Sequence, residues 1–315
     1  MKQFTSIKDV DNLTDLLAIA KKCKETPYQY QHLGKNKTLG LLFFNASLRT
    51  RLSTQKAAFN LGMQVMTMNI DKEGWQLELE EGAIMNQQSQ EHIKEAAQVL
   101  SQYCDCIGIR AFASLEDRTK DYEEHLLQKF IQYSSVPIIS LESATRHPLQ
   151  GFTDLLTIEE HKKHSRPKVV LTWAPHPKPL PQAVANSFVA WMQQAEVELV
   201  ITHPKGFELT PSVTQQTPVV YDQEEAFQEA DFIYAKNWST YAPYGQVGVD
   251  LSHWMIDTAK MALTNQAYFM HCLPVRRNVV VEDAVLDAPT ALHIAQANNR
   301  TYAAQAVLLK FLQDD

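Results

Sequence analysis

Short apolar runs, separated by stretches whose apolar residues recur at helical intervals, set the pattern of this chain. In the first half the runs are TLGLLFF (38–44), QVMTMNI (64–70), CDCIGIR (104–110) and VPIISL (136–141). In the second half they are KVVLTWA (168–174), VELVITH (197–203), PVVYD (218–222), DFIYAKN (231–237) and YFMHCLP (268–274). Runs of this kind are what buried parallel strands require, and the stretches 84–103 and 181–196 between them read as helices. The alternation predicts an α/β fold of two lobes, each a central parallel sheet flanked by helices. The stretch 290–315 reads as a helix that packs back to close the structure. A boundary near 145–155 divides the chain into domains 1–150 and 151–315.

Composition narrows the function more than the fold. A net charge of −7 over 315 residues argues against a general nucleic-acid surface, which needs a basic face. No stretch approaches the ~18 apolar residues of a membrane span. The start, MKQFTSIKDVDNL, carries charges where an export signal would be apolar, so a cytoplasmic protein is expected. The cysteines Cys23, Cys104, Cys106 and Cys272 are too few and scattered for a disulfide framework; Cys104 and Cys106 read as strand residues. No metal-ligand constellation is visible, and no organic cofactor is implied.

The cations of an acidic chain gain meaning where they concentrate. FFNASLRTR (43–51) follows an apolar run, and Leu48, Leu52 and Phe59 then fall on one face of a helix that Gly62 terminates. Ser47, Leu48, Arg49 and Thr50 therefore sit at a helix N-terminus, where unpaired backbone N–H groups and Ser, Thr and Arg donors suit a phosphate. GxxxxGK[ST] and GxGxxG are both missing, so nucleotide loops are not the explanation. Further donors stand at other strand ends: Arg110 after CDCIGI, His147 and Gln150 in RHPLQ, and HCLP at 271–274. The Pro-rich PHPKPLP (175–181) must be a shaped loop after a strand. In open α/β sheets ligands bind beyond the carboxyl ends of strands, where all of these lie.

SLRTR, HPLQ and HCLP, in this order and spacing, resemble the signatures of the aspartate and ornithine carbamoyltransferase family over nearly the whole chain, to Arg300 in NNR. The resemblance implies that Ser47, Leu48, Arg49 and Thr50 cradle the phosphate of carbamoyl phosphate. It further implies that Arg110, His147 and Gln150 meet the carbamoyl end, and that Arg300 and the backbone of Cys272 and Leu273 complete the pocket. Ordinary ornithine carbamoyltransferases engage a free α-amino group with an Asp and a Ser-Met-Gly loop, yet no SMG occurs here. YAKNW (234–238) and VRRN (275–278) stand in the comparable region, and their Lys236 and Arg276 suit the carboxylates of an N-acylated amino acid.

These features, with Trp75 and the PHPKPLP loop, are similar to the branch that carbamoylates N-acetyl- or N-succinyl-ornithine. By that match Glu142, His176, Lys236 and Arg276 contact the acylornithine, and Trp75 reaches the carbamoyl phosphate of a neighbouring subunit in a homotrimer with shared active sites. The branch also implies a knotted backbone around the Pro-rich loop. Relatives differ near position 90, acidic with the acetyl substrate and proline with the succinyl one. Gln90 matches neither, but it lacks the charge that would repel a distal succinyl carboxylate, and Lys178 supplies another cation. Gln305 stands where many relatives have a lysine, so a lysine-dependent feature is not expected.

The expected activity is transfer of a carbamoyl group from carbamoyl phosphate to the δ-amine of N-succinyl-L-ornithine in arginine biosynthesis. N-acetylornithine, free ornithine and a non-catalytic carbamoyl-phosphate-binding module are the rivals. Arg110, His147 and Arg49 are the expected catalytic residues, by alignment and oxyanion stabilisation. A nucleophilic Cys272 is disfavoured, because in a strand it would face away from His271, its one nearby base.

Overall fold

In the computed structural model, which describes residues 1–313 and for Asp71 only its backbone, the apolar runs become parallel strands of two separate sheets. Twelve strands are present among the described residues: β1 (Gln3–Phe4), β2 (Thr38–Phe43), β3 (Gln64–Asn69), β4 (Leu77–Glu78), β5 (Glu91–His92), β6 (Cys106–Arg110), β7 (Ile138–Glu142), β8 (Lys168–Trp173), β9 (Glu198–Thr202), β10 (Val219–Val220), β11 (Phe232–Lys236) and β12 (Tyr268–Met270). One sheet runs β1-β7-β6-β2-β3, the other β10-β9-β8-β11-β12, and β4 and β5 form a small pair.

Each five-stranded sheet reverses its winding once. In the first, β3 lies to one side of β2 and β6 to the other, with Phe43 opposite Asn69 and Arg110. In the second, β9 and β11 flank β8 in the same way, with Lys236 opposite Trp173. Loops leaving the two strands at such a reversal diverge to opposite faces and open a crevice beyond the carboxyl ends. The sequence places FFNASLRTR and Arg110 at the first crevice, and PHPKPLP and Lys236 at the second.

The chain groups into two compact units. Met1–Ser114, Thr119–Leu149 and the chain from Arg300 on form the first; Leu115–Arg118 and Gln150–Asn299 form the second. The helix His293–Gln313 is thus shared, whereas the sequence reading gave all of 290–315 to the second domain. Side-chain bonds explain the split. Gln305 accepts from Asn60 (2.9 Å) and donates to the Pro27 carbonyl (2.7 Å), and Lys310 pairs with Asp15 (2.7 Å). Farther up the helix, Asn299 donates to Thr157 (3.0 Å) and Glu160 (2.7 Å) of the second unit.

Local departures from the sequence pattern have physical causes. Helix begins only at Ile93 within 84–103, where His92 caps it by accepting the Lys94 N–H; Ile84 and Met85 before it are exposed. Cys104 follows that helix as its cap residue and is not in a strand. Leu48, Leu52 and Phe59 do share a side of helix Arg49–Asn60, but it is the exposed side: the buried positions are Thr50, Thr54, Ala57, Ala58 and Asn60. No helix among the described residues is long and apolar enough to cross a membrane.

In the second unit the helix Pro148–His161 packs tightly against Trp191. A Cβ on Gly151 would lie 2.3 Å from Trp191 Cδ1. Trp191 is buried and stacked on Phe152 at 5.2 Å, so the ring has no room to withdraw. Gly151→Ala gains about 1 kcal/mol of helix propensity but overpacks a full core, at about 1–3 kcal/mol. We expect net destabilisation, read as a lower urea midpoint at unchanged slope.

Candidate active site

In the first unit the candidate residues converge on one hydroxyl. Thr50, in the first turn of helix Arg49–Asn60, is buried, and its Oγ1 accepts from Arg300 at 2.7 Å and from Arg110 at 3.2 Å. A hydroxyl has two acceptor lone pairs and one proton, so accepting from two guanidinium groups leaves the proton to be donated. Ser47 Oγ accepts the Thr50 backbone N–H at 3.3 Å, a loose cap. Leu48 stands at the cap position with an αR backbone, and Arg49 opens the helix. Arg51 turns away from this group and donates to Asn69 (3.3 Å) on β3.

Arg110 ends β6, 7% exposed, with its guanidinium 4.4 Å from the Phe112 ring centroid. Its NH1 donates to Glu142 Oε2 at 2.6 Å, and His147 Nε2 lies 3.4 Å from the same oxygen. Among the described residues no acceptor takes the buried Arg110 Nε–H. One carboxylate therefore faces Arg110, with Arg300 brought in by Thr50. Two guanidinium groups gathered on one hydroxyl are chemistry that suits an anion.

The segment around Trp75 is organised separately. Trp75 is 51% exposed and its indole N–H donates to Glu91 (2.8 Å), while exposed Gln90 donates its backbone N–H to Gln76 (3.1 Å). These bonds stay within the β4–β5 segment and do not reach the Thr50 group.

In the second unit, Lys236 ends β11 nearly buried, and His176 lies in the loop after β8. Arg276 Nε donates to His176 Nε2 at 3.0 Å, so that nitrogen must be unprotonated. Nδ1 lies 2.8 Å from the Lys178 carbonyl and 3.1 Å from the Lys178 backbone N–H, and with Nε2 unprotonated the neutral ring carries its proton on Nδ1, toward the carbonyl. Burial holds His176 below its usual pKa, and the charges of Lys236, Arg276 and Lys178 push the same way. Every side-chain charge acting on this ring is positive.

Cys272 and Leu273 follow β12, which ends at Met270. The alternation used to set Cys272 apart from His271 therefore does not operate, since neither residue is in the strand. His271 is buried and its pKa is pushed down to about 3, by burial first and then by the charge of Lys236, which makes it a poor base for a thiol. Gln150, on helix Pro148–His161, donates to Asp154 at 2.7 Å.

Two residues that the sequence reading passed over organise these parts. Glu124, buried, accepts from Ser143 Oγ (2.7 Å), from the Thr145 backbone N–H (2.9 Å) and from the Thr145 hydroxyl, fixing the loop that leads to His147. Nothing in the local sequence of Glu124 announces this. Asp154 lies four residues after Gln150, a helical spacing visible in HPLQGFTD.

Comparison with known proteins also divides the chain in two, at different bounds. Residues 2–160 match the aspartate/ornithine carbamoyltransferase carbamoyl-P binding domain, and residues 181–311 match the Asp/Orn binding domain. N-succinylornithine carbamoyltransferase of Bacteroides thetaiotaomicron is 53% identical over 315 residues, 99% of each chain. N-acetylornithine carbamoyltransferase of Xylella fastidiosa is 37% identical over 308 residues, 89% of this chain and 90% of that one. A solved N-acetyl-L-ornithine transcarbamylase, a glutamate-to-alanine mutant complexed with carbamyl phosphate and N-succinyl-L-norvaline, matches with TM-score 0.93 at 34% identity, covering 99% of this chain and 100% of that one.

The His271 environment yields a pH prediction. Its folded pKa lies near 3 against an ordinary 6.5, so between those values the unfolded chain holds a proton that the folded chain refuses. The stabilisation is complete above about 6.5 and is lost as pH falls through that window. Urea midpoints of a His271→Gln variant should fall less steeply with acidification than those of the wild type. Parallel curves would contradict this.

Proposed function

The chain belongs to the aspartate/ornithine carbamoyltransferase family and is a carbamoyltransferase, and from that premise we propose that it carbamoylates the δ-amine of N-succinyl-L-ornithine, giving N-succinyl-L-citrulline and phosphate in arginine biosynthesis. The observation that carries the substrate choice is the charge around His176: Lys236, Arg276 and Lys178, all cationic. Free ornithine would bring its α-ammonium to that cluster. An N-succinyl derivative brings a neutral amide and two carboxylates instead. Gln90, exposed and uncharged, adds no repulsion to the distal carboxylate. The 53% identity to an N-succinylornithine carbamoyltransferase, against 37% to an N-acetylornithine enzyme, supports the same choice. So does the complex of a relative with N-succinyl-L-norvaline, formed in an enzyme that had lost a glutamate.

Ser47, Arg49, Thr50, Arg300 and the backbone at Leu48 hold the phosphate, with the Thr50 proton and the helix N-terminus as donors. Arg110 and His147 donate to the carbamoyl oxygen as it gains negative charge, which preorganised donors stabilise without reorganisation. Gln150 and the backbone of Cys272 and Leu273 hold the carbamoyl amide. Lys236, Arg276, His176, Lys178 and Glu142 orient the acylornithine, and Gln90 borders its acyl end. Neutral His176 accepts from Arg276 and so aims that guanidinium. The amine attacks the carbamoyl carbon, the bond from that carbon to the bridging oxygen breaks, and phosphate leaves with the electron pair.

A cytoplasmic homotrimer completes the reading, with Trp75 lent to a neighbouring subunit's carbamoyl phosphate. Its support is the apolar surface at the β3 edge of the first sheet. Met66 and Met68 on β3 are 55% and 41% exposed, and Leu52 and Phe59 on the adjoining helix are 55% and 52% exposed. Apolar groups concentrated on one region of a surface mark an interaction site.

Side-by-side kinetics with succinylated, acetylated and free ornithine test the substrate. We expect the highest kcat/KM for N-succinylornithine and at least about 100-fold less for free ornithine; faster turnover of N-acetylornithine at equal concentration would reverse the assignment. For the assembly, sedimentation should show a trimer that Leu52→Glu with Met68→Glu dissociates. A monomeric wild type would refute it.

A further inference from the structure

We propose that Asp154 and Gln296 are positioning residues for the carbamoyl site, a buried relay that ties the side-chain amide of Gln150 to the backbone turn at Cys272 and Leu273. The proposal rests on the reading of Gln150, Cys272 and Leu273 as carbamoyl contacts. Asp154 Oδ1 accepts from Gln150 Nε2 at 2.7 Å and from Gln296 Nε2 at 2.9 Å. Gln296 Oε1 in turn accepts the His271 backbone N–H at 2.9 Å. Asp154 is 0% exposed, Gln296 1% and Gln150 2%, so water does not compete for these bonds.

The relay fixes orientation as well as distance. Because Asp154 accepts, each glutamine must turn its NH2 group toward it, and each Oε1 is set on the other side. For Gln296 that oxygen holds His271. For Gln150 it presents an acceptor, the group an N–H of the carbamoyl amide requires. The backbone turn that follows His271 is then held in register with that acceptor.

The cost of the arrangement argues that it serves more than adhesion. A buried carboxylate is expensive unless well bonded, and the same two helices are already joined through Asn299, Thr157 and Glu160. Tyr234 packs close enough that the charge of Asp154, after burial itself, raises its hydroxyl pKa, and Cys272 acts on it too. The carboxylate is therefore anchored beside the turn it controls.

The test uses the full chain and two probes: phosphonoacetamide, which carries a carboxamide like that of carbamoyl phosphate, and inorganic phosphate, which does not. Gln296→Met, and Gln296→Ala should the first not fold, is expected to weaken phosphonoacetamide about ten-fold or more while phosphate affinity stays within about two-fold. Asp154→Asn keeps an Oδ1 that accepts from both glutamines and should retain binding within about three-fold, where Asp154→Leu does not. If both probes weaken together, or neither does, the relay is overturned. Assay of the wild type for N-succinylcitrulline separates the two readings: an enzyme inactive on N-succinylornithine fails the substrate assignment, while the ratio of the two probes still decides the relay.

Discussion

The hydroxyl of Thr50, shared by two arginines, is the interaction on which the rest of the first unit's chemistry depends. Arg110 comes from the end of a strand and Arg300 from a helix 190 residues later in the chain, and one oxygen holds both. Donor nitrogens at 3.2 and 2.7 Å from a common atom are within roughly 6 Å of each other, where two unit charges repel by about 3 kcal/mol at an effective dielectric of 20. Glu142 offsets part of this through Arg110. A dianion at the helix N-terminus would relieve this repulsion, which fits the proposed phosphate site in an otherwise acidic protein.

Topology explains why such a cluster forms. Both sheets reverse winding at a strand pair, β2 with β6 and β8 with β11, and a cationic residue ends one strand of each pair, Arg110 on β6 and Lys236 on β11. The first gathers arginines whose planar forks match phosphate oxygens. The second gathers Lys236, Arg276 and Lys178 around a histidine that burial and these same charges keep neutral. A neutral His176 matters because a protonated one would point a donor at the Arg276 Nε–H.

The strands were legible because runs apolar on both faces have few other uses, and the helix after FFNASLRTR because Gly62, at φ +80, ends it. Which side of that helix is buried was not legible. Thr50, Thr54, Ala57 and Ala58 pack inward, and the larger Leu48, Leu52 and Phe59 are left outside, an arrangement that local periodicity reads backwards. The grouping of Thr50 with Arg110 and Arg300 draws on motifs visible singly in the sequence, but their sharing of one oxygen is a tertiary fact. The Asp154–Gln296 bond links positions 142 residues apart and leaves no local trace at Gln296. The division of the last helix is hidden for the same reason: Asn299 and Gln305 look alike in sequence and find partners in different units.

The same electrostatics bears on the proton that the reaction must shed. A δ-ammonium cannot attack a carbonyl carbon, and a free amine of this kind is mostly protonated near neutrality, as a lysine is. Nearby positive charge disfavours the ammonium and lowers its pKa. In the proposed reaction the cations assigned to the acylornithine carboxylates would also favour the neutral, nucleophilic amine. His271, with its pKa near 3, is too weak a base to take the proton at neutral pH. In the proposed reaction the phosphate leaves with one negative charge more than it carried in carbamoyl phosphate, which makes it the stronger proton acceptor of the two. In this scheme the protein supplies charge and alignment, and the leaving group carries the proton away.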